Sequence, residues 1–142
     1  MGENKRKYVY VVTGPSGAGK TTIVGKVLEL MEGRVGRVVT TTTRAPRPGE
    51  VNGEDYYFVS QKEFESKIKD GKMFEWKKVY DNYYGSTISE VENQGTSTIL
   101  TIDVQGAESL RDCENVVTIF LRPAILGTLI IVTGKQIGRA HV

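Results

Sequence analysis

Short apolar runs alternate with amphipathic segments at the start of the chain, and this alternation predicts an α/β protein. Tyr8–Thr13 is a β-branched and aromatic run that ends at Gly14, which is typical of a central parallel strand covered on both faces. The apolar residues that follow recur at the spacing of one helix face before Gly33: Ile23, Val24, Val27, Leu28 and Met31. The first unit is therefore predicted to be a strand, a glycine loop and a helix.

The same alternation returns near the other end of the chain. Thr98–Asp103 is an apolar strand that ends in an acid, and Gly106–Asp112 has the character of a helix. Val116–Leu121 reads as a buried strand that Pro123 closes. Residues 1–36 and 96–123 thus alternate strand and helix, which predicts a three-layer core around a parallel sheet.

The region between, residues 37–95, is aromatic and polar and is predicted to be a small mixed insertion in that core. Ser60 followed by Glu63 forms a capping box, so a helix is expected from Gln61 to Asp70, ending at Gly71. The other predicted elements are strands at Arg37–Thr43 and Asp55–Val59, short strands within Met73–Tyr84 around a turn at Asp81-Asn82, and a short helix at Thr87–Asn93.

Composition and charge exclude several classes of protein. The 142 residues are 39% hydrophobic and 25% charged, which is ordinary for a globular domain. The net charge of +2 comes from Lys135 and Arg139, and a neutral body gives no reason to expect nucleic-acid binding. The lone Cys113 has no disulfide or metal-ligand partner at a suitable spacing. With no signal peptide and no membrane-spanning run, we expect a soluble cytoplasmic protein with no membrane partner.

The glycine loop carries the first chemical signal. Its sequence, Gly14-Pro15-Ser16-Gly17-Ala18-Gly19-Lys20-Thr21-Thr22, fits the phosphate-loop pattern G-x-x-x-x-G-K-[ST]. Glycines let the backbone curl until successive N–H groups point at phosphate oxygens, and the following helix presents its positive end. Lys20 is then placed to reach the outer phosphates, and the Thr21 hydroxyl to ligate Mg²⁺. The loop therefore predicts a nucleoside-triphosphate site.

A second set of motifs narrows the class of protein. It consists of Thr40–Phe58, Phe74-Glu75-Trp76, Asn82–Thr87 and Ile102–Gly106, in the right order along the chain. Together with the phosphate loop, these segments closely resemble guanylate kinase from about Tyr8 to Pro123. The resemblance implies a P-loop kinase core with a small GMP-binding insertion, and ATP and GMP as small-molecule substrates.

The resemblance implies that Arg44 and Arg47 grip the phosphate of GMP. A guanidinium presents a planar fork that matches two phosphate oxygens and keeps its charge, and prolines flank this loop. Tyr56 and Tyr84 match tyrosines whose hydroxyl groups donate to the same phosphate. Taken singly, each of these residues is more often solvated or merely packed, so the hypothesis depends on the joint pattern.

The resemblance also implies a site for the guanine base. Glu75 matches a carboxylate that accepts from N1–H and the exocyclic amine of guanine, a pair of donors that adenine lacks. Thr40 and Ser86 match hydroxyl positions that contact the base. Asp103 would lie near the magnesium hydration shell or the guanine edge, and both roles stay open. Thr101 stands where members of the family often carry another acid.

The implied reaction is ATP + GMP giving ADP + GDP, with Lys20, Arg44 and Arg47 as the catalytic residues and ATP and Mg²⁺ bound at the phosphate loop. The acceptor phosphate is already an anion, so alignment and charge cancellation suffice without a general base. Two other hypotheses are a guanylate-kinase-like scaffold that binds proteins without chemistry, and a related P-loop kinase acting on another phosphate ester. The intact phosphate loop argues against the first, and Glu75 with Ser86 against the second.

The resemblance stops near Pro123. We interpret residues 1–123 as one guanylate-kinase-like domain and residues 124–142 as a non-native tail. Nothing in the tail matches the arginines that close over the phosphates in the family. We therefore expect this chain to keep some affinity for GMP but to show little turnover.

Overall fold

The computed structural model describes residues 6–15, 19–92, 94–124 and 127–134. These residues divide between two compact units, one comprising Met1–Arg37 with Gly95–Val142 and the other Val38–Gln94. The strands are β1 (Val9–Thr13), β2 (Val35–Arg37), β3 (Thr41–Thr42), β4 (Tyr57–Phe58), β5 (Met73–Val79), β6 (Asn82–Thr87), β7 (Ser97–Thr101), β8 (Val116–Ala124) and β9 (Gly127–Gly134). The helices are α1 (Lys20–Leu30), α2 (Gln61–Lys69), α3 (Ile88–Glu92) and α4 (Val104–Ser109).

The first unit is built on a five-stranded sheet in the order β2-β7-β1-β8-β9. The first four strands run parallel and β9 runs antiparallel to β8. Its core joins three strands to helix α1 through Val12, Val24, Ile99 and Leu121, all of them buried. The predicted α/β core with a parallel sheet is confirmed, because β-branched strands alternate with amphipathic helices in this unit.

The end of β8 differs from the prediction. Pro123 was expected to close this strand, but β8 continues to Ala124 and pairs with β9, with Pro123 opposite Thr128. On its other side β8 pairs with β1 only through Val116–Phe120. The missing N–H of Pro123 therefore lies beyond the ladder with β1, where proline is tolerated.

The second unit is built on a four-stranded mixed sheet in the order β4-β3-β6-β5. Strands β3 and β4 are parallel, and the other pairings are antiparallel. Helix α2 covers one face of this sheet. Its Phe64 is fully buried and stacks on Tyr83 at 4.9 Å between ring centroids, and Trp76 packs against the same tyrosine at 5.8 Å.

The predicted caps of helix α2 are confirmed. The side chain of Ser60 accepts a 3.1 Å hydrogen bond from the amide of Glu63, which satisfies one of the free N–H groups of the first turn. The helix ends at Lys69, and Gly71 follows with φ of 68°. That left-handed conformation is the reason a glycine ends the helix.

The single strand predicted at Arg37–Thr43 is wrong. β2 ends at Arg37 and β3 is only Thr41–Thr42, in separate sheets. Between them the amide of Val39 donates to a side-chain oxygen of Glu90 at 3.1 Å instead of joining a ladder. Residues 38–40 belong to no strand, although the carbonyl oxygen of Thr40 accepts a 2.8 Å hydrogen bond from the amide of Tyr57. β-branched residues favour strands, but pairing depends on the partners available.

Several predicted boundaries also move. The strand predicted at Asp55–Val59 is only Tyr57–Phe58. The turn of the β5–β6 hairpin is Tyr80-Asp81, because Val79 pairs with Asn82, so the predicted turn at Asp81-Asn82 is one residue late. Tyr80 has φ of 55° and is almost wholly exposed. Helix α4 begins at Val104, two residues before its predicted start, because Asp103 caps it.

Candidate functional site

The glycine loop after β1 lies at the edge of the first unit where parallel strands end. Gly14 has φ of 146°, and a Cβ there would collide with the carbonyl oxygen of Leu121. Gly19 has φ of 86° and precedes the first residue of α1. Both positions therefore require glycine. Ser16, Gly17 and Ala18, which complete the predicted phosphate-binding loop, lie outside the described residues.

Lys20 contacts the first residue of the glycine loop. Its Nζ donates a 2.6 Å hydrogen bond to the carbonyl oxygen of Gly14, which holds the ammonium group beside the end of β1. Thr21 and Thr22 follow in the first turn of α1 with exposed side chains, and Pro15 is exposed as well. The start of a helix, a lysine and an exposed hydroxyl are thus in one place, as an anion site requires.

Asp103 belongs to the same unit and caps helix α4. Its Oδ1 accepts a 2.8 Å hydrogen bond from the amide of Gly106. This structural role accounts for an acid two residues after β7, which ends at Thr101 and not at Asp103 as predicted. Neither of the two predicted roles, at the metal or at guanine, is tested by this contact.

In the second unit, the side chains implied for GMP lie on one face of the mixed sheet. Glu75 pairs with Ser86 across β5 and β6, and Tyr84, two residues before Ser86, points to the same face. Thr42 of β3 pairs with Tyr84 and with Phe58 of β4, which extends that face across the sheet. This is the face opposite the one that α2 covers, and we call it the open face.

Glu75 and Ser86 form a buried polar pair on the open face. The hydroxyl of Ser86 donates a 2.9 Å hydrogen bond to Oε1 of Glu75, and the two residues are 0% and 9% exposed respectively. Burial raises the pKa of Glu75, and the hydrogen bond from Ser86 and the charge of Lys77 lower it in part. The carboxylate of Glu75 could therefore accept hydrogen bonds from a ligand that has two adjacent N–H donors.

Arg44 is held by an ion pair and by two aromatic rings. Its Nη1 and Nη2 donate to the two carboxylate oxygens of Glu50 at 2.8 and 3.0 Å, a bidentate pair. The guanidinium also lies over the rings of Tyr56 and Phe58, at 5.2 and 6.0 Å from their centroids. The hydrogen bond to Glu50, together with its charge, raises the pKa of Arg44 further above its usual value.

Glu50 in turn is held from two sides. Its Oε1 accepts a 2.7 Å hydrogen bond from the amide of Arg47, besides its pair with Arg44. The hydrogen bond from Arg44, followed by that from the Arg47 amide, lowers the pKa of Glu50 to about 2. The side chain of Arg47 is exposed in the loop. Thr40 immediately precedes β3.

Sequence reasoning missed two residues of this site. Glu50 fastens both arginine positions, and Thr42 accepts from the amide of Arg44 at 3.1 Å while donating to the carbonyl oxygen of Tyr83 at 2.9 Å. A glutamate at the end of a loop with two arginines is a signal that could have pointed to Glu50. Thr42 carries no such signal within its run of four threonines.

The predicted residues therefore fall into two groups, one in each unit. Lys20, Thr21 and Asp103 lie at the strand ends of the first unit. The second unit brings together Arg44, Tyr56, Tyr84, Glu75 and Ser86 on its open face. A parallel sheet whose first strand leads through a glycine loop into a helix defines the class of α/β proteins with a phosphate loop.

Comparison with known proteins gives the particular family. A family model described as guanylate kinase matches residues 6–136. Guanylate kinase of Protochlamydia amoebophila is 42% identical over 131 residues, which cover 90% of this chain and 66% of that protein. Guanylate kinase of the Wolbachia of Brugia malayi is 46% identical over 118 residues, 80% of this chain and 60% of that protein. The chain belongs to the guanylate kinase family.

A solved structure agrees with this assignment. The crystal structure of guanylate kinase from Anaplasma phagocytophilum matches with a TM-score of 0.66 and 38% sequence identity, covering 80% of this chain and 59% of that chain. The chain thus spans less than two thirds of the length of these relatives. Among the described residues, none of the helices is long and apolar enough to cross a membrane.

Proposed function

We propose that the protein transfers the γ-phosphoryl group of ATP to GMP, giving ADP and GDP. The observation that carries this proposal is the buried pair of Glu75 and Ser86 on the open face. Burying an ionisable carboxyl is costly, and a ligand that supplies further N–H donors would offset this cost. Guanine offers two adjacent N–H donors of the right kind, and adenine offers only an acceptor at the corresponding ring nitrogen.

The phosphate of GMP would be held on the same unit. Arg44 is charged, half-buried and already fixed in orientation by Glu50 and two aromatic rings, so little side-chain entropy is lost on binding. Arg47 and the hydroxyl groups of Tyr56 and Tyr84 are the other proposed phosphate ligands. Thr40 is proposed to contact the base, and Asp103 to lie at the guanine edge or near the metal's water shell.

The phosphates of ATP would be held by the first unit. Lys20 is already ordered by its hydrogen bond to Gly14 and can exchange that carbonyl partner for phosphate oxygens at little cost in side-chain order. The backbone amides of the predicted loop, Gly14 to Thr22, and the start of α1 would complete the anion site. Catalysis would consist of alignment and charge cancellation by Lys20, Arg44 and Arg47.

Mg²⁺ fits this site as an ion held largely by substrate. No group of three or more histidine, cysteine, aspartate or glutamate side chains that could cage a metal occurs within residues 6–15, 19–92, 94–124 and 127–134. The exposed hydroxyl of Thr21 at the start of α1 is the ligand that the chain offers, and phosphate oxygens and water would fill the other positions. When bound, the ion supplies charge neutralisation at the transferred phosphoryl group.

Calorimetric titration with GMP, AMP and ATP tests the proposal. We expect GMP to bind and AMP to bind at least about 100-fold more weakly, because a site built on hydrogen bonds rejects a base that cannot make them. Lys20→Ala should lose ATP and keep GMP, whereas Lys26→Ala, an exposed lysine on the same helix, should keep both. A coupled assay of ADP release measures turnover directly.

The same titrations decide between the hypotheses. Equal binding of AMP and GMP would overturn the specificity and favour a kinase for another phosphate ester. Absence of ATP binding would favour a scaffold without chemistry. We also propose a cytoplasmic location, where ATP and GMP are available as substrates.

A further inference from the structure

The contacts of Glu50 go beyond a surface ion pair. Its carboxylate spans the loop, binding the guanidinium of Arg44 with both oxygens and the backbone amide of Arg47 with one of them. The two side chains of the ion pair are only 13% and 21% exposed. An exposed ion pair contributes little, but a bidentate and partly buried pair restricts orientation as well as charge.

The donors of Arg44 show what Glu50 does to this residue. Arginine has five N–H donors. Nη1 uses both of its hydrogens, on Glu50 and on the carbonyl oxygen of Ala45, and Nη2 uses one on Glu50. None of these hydrogen bonds uses Nε, and the guanidinium also has a side-chain hydrogen bond with Tyr56, itself a proposed phosphate ligand. The edge that carries Nε–H and the second Nη2–H is therefore the edge directed away from Glu50.

We propose that Glu50 is a positioning residue for the phosphate of GMP, which fixes Arg44 so that its Nε–Nη2 edge meets two phosphate oxygens and at the same time fixes the backbone of Arg47. This inference rests on the proposed function. The Nη1–Nη2 edge of Arg44 binds the carboxylate of Glu50. The Nε–Nη2 edge also presents two N–H donors side by side, and such a pair of donors matches two phosphate oxygens. Glu50 thus determines which edge of the Arg44 guanidinium faces the phosphate of GMP.

Plain electrostatics predicts the opposite effect from positioning. Glu50 carries a negative charge in a loop that is proposed to bind a dianion, so removing that charge should strengthen GMP binding if charge alone mattered. Positioning predicts that the same removal weakens binding. The sign of one measurement therefore separates the two accounts.

The experiment is calorimetric titration of GMP and guanosine into the wild-type chain and three variants. Glu50→Gln should bind GMP about ten-fold more weakly, the equivalent of about one lost charge-assisted hydrogen bond, and should bind guanosine unchanged. Glu54→Gln removes the same charge from an exposed position of the same loop and should not weaken GMP binding. Glu50→Asp keeps the charge but is one methylene shorter, and should fall between wild type and Glu50→Gln.

A double-mutant cycle tests whether Glu50 acts through Arg44. Lysine has no fork to orient, so Glu50→Gln should weaken GMP binding less than two-fold in an Arg44→Lys background. A full ten-fold loss in that background would overturn the proposal, as would unchanged or tighter GMP binding by Glu50→Gln alone. Loss of guanosine along with GMP would show general disruption of the site and would also overturn it.

The failures are distinguishable from one another. If the wild-type chain binds neither GMP nor guanosine, the proposed function fails and this inference falls with it. If the wild type binds GMP and only the behaviour of the Glu50 variants departs from expectation, the proposed function stands without the positioning role.

Discussion

The hydroxyl of Ser86 donates to Oε1 of Glu75 at 2.9 Å, and both side chains are buried in the same face of a four-stranded sheet. Burial raises the pKa of Glu75, so the carboxyl group of Glu75 holds its proton more tightly in the native protein than in the unfolded chain. The pair is therefore a source of pH dependence in both stability and ligand binding. Each consequence can be measured separately.

The first prediction concerns stability. Because the folded pKa of Glu75 is raised, its contribution to the free energy of unfolding should fall as pH rises from the unfolded carboxyl value through the raised value. Glu75→Gln should remove this fall. The difference in unfolding free energy, variant minus wild type, should therefore be larger at pH 8 than at pH 4. Urea denaturation across that range measures the difference. Glu92→Gln, which removes an exposed carboxylate, should track the wild type.

The second prediction concerns GMP binding. Only the ionised form of Glu75 accepts two hydrogen bonds, so affinity for GMP should increase as pH rises through its pKa. The hydrogen bond from Ser86 lowers that pKa, and Ser86→Ala should therefore shift the midpoint of the binding profile to higher pH. A midpoint that is unmoved, or moved to lower pH, would contradict this account of the pair. The variant should also lose about 1–3 kcal/mol of stability.

The third prediction concerns the packing of helix α2. Phe64 is 0% exposed and stacks on Tyr83, so Phe64→Ala should cost about 3–5 kcal/mol of unfolding free energy. Leu30→Ala is the comparison, because Leu30 is 73% exposed at the end of α1 and its truncation should cost less than about 0.5 kcal/mol. Chemical denaturation of both variants checks the ranking, and equal losses would contradict it.

The fourth prediction uses two glycines of the first unit. Gly14→Ala places a Cβ against the carbonyl oxygen of Leu121 at φ of 146°, and should destabilise the protein by about 1–3 kcal/mol or more. Gly25→Ala in α1 meets nothing within 4 Å and should stabilise by about 0.5–1 kcal/mol. Thermal unfolding of the two variants should move in opposite directions. A shift of the same sign in both would refute the steric reading of Gly14.

Much of the fold follows from local sequence signals. β1, α1 and α2 were predicted within a few residues because a β-branched run, a helical period and a capping box each act over short distances. The split of Arg37–Thr43 could not be predicted, since every residue in that run favours extended backbone and pairing depends on partners far along the chain. The end of β8 was mispredicted at Pro123 for the same reason, because a proline is tolerated in β8 only beyond the point where the pairing with β1 ends.

The candidate site divides in a similar way. Glu75 and Ser86 stand on paired strands, and the resemblance to a known family singled them out although they are eleven residues apart. Glu50 was missed although its position after two arginines was a signal, because its contact with Arg44 depends on how the loop folds. The hypothesis that Asp103 serves ligand or metal stays a prediction, and its hydrogen bond with the amide of Gly106 caps helix α4.

The strand order has a consequence for the sequence of events during synthesis. β1 pairs with β7 and β8, and β2 pairs with β7, so the first two strands of the parallel sheet lack their partners until Ser97 and the residues after it have left the ribosome. The four strands of the second unit pair only with one another and are all made before that point. Local pairing forms sooner than distant pairing, so the second unit should fold first, before the strands of the first unit can pair.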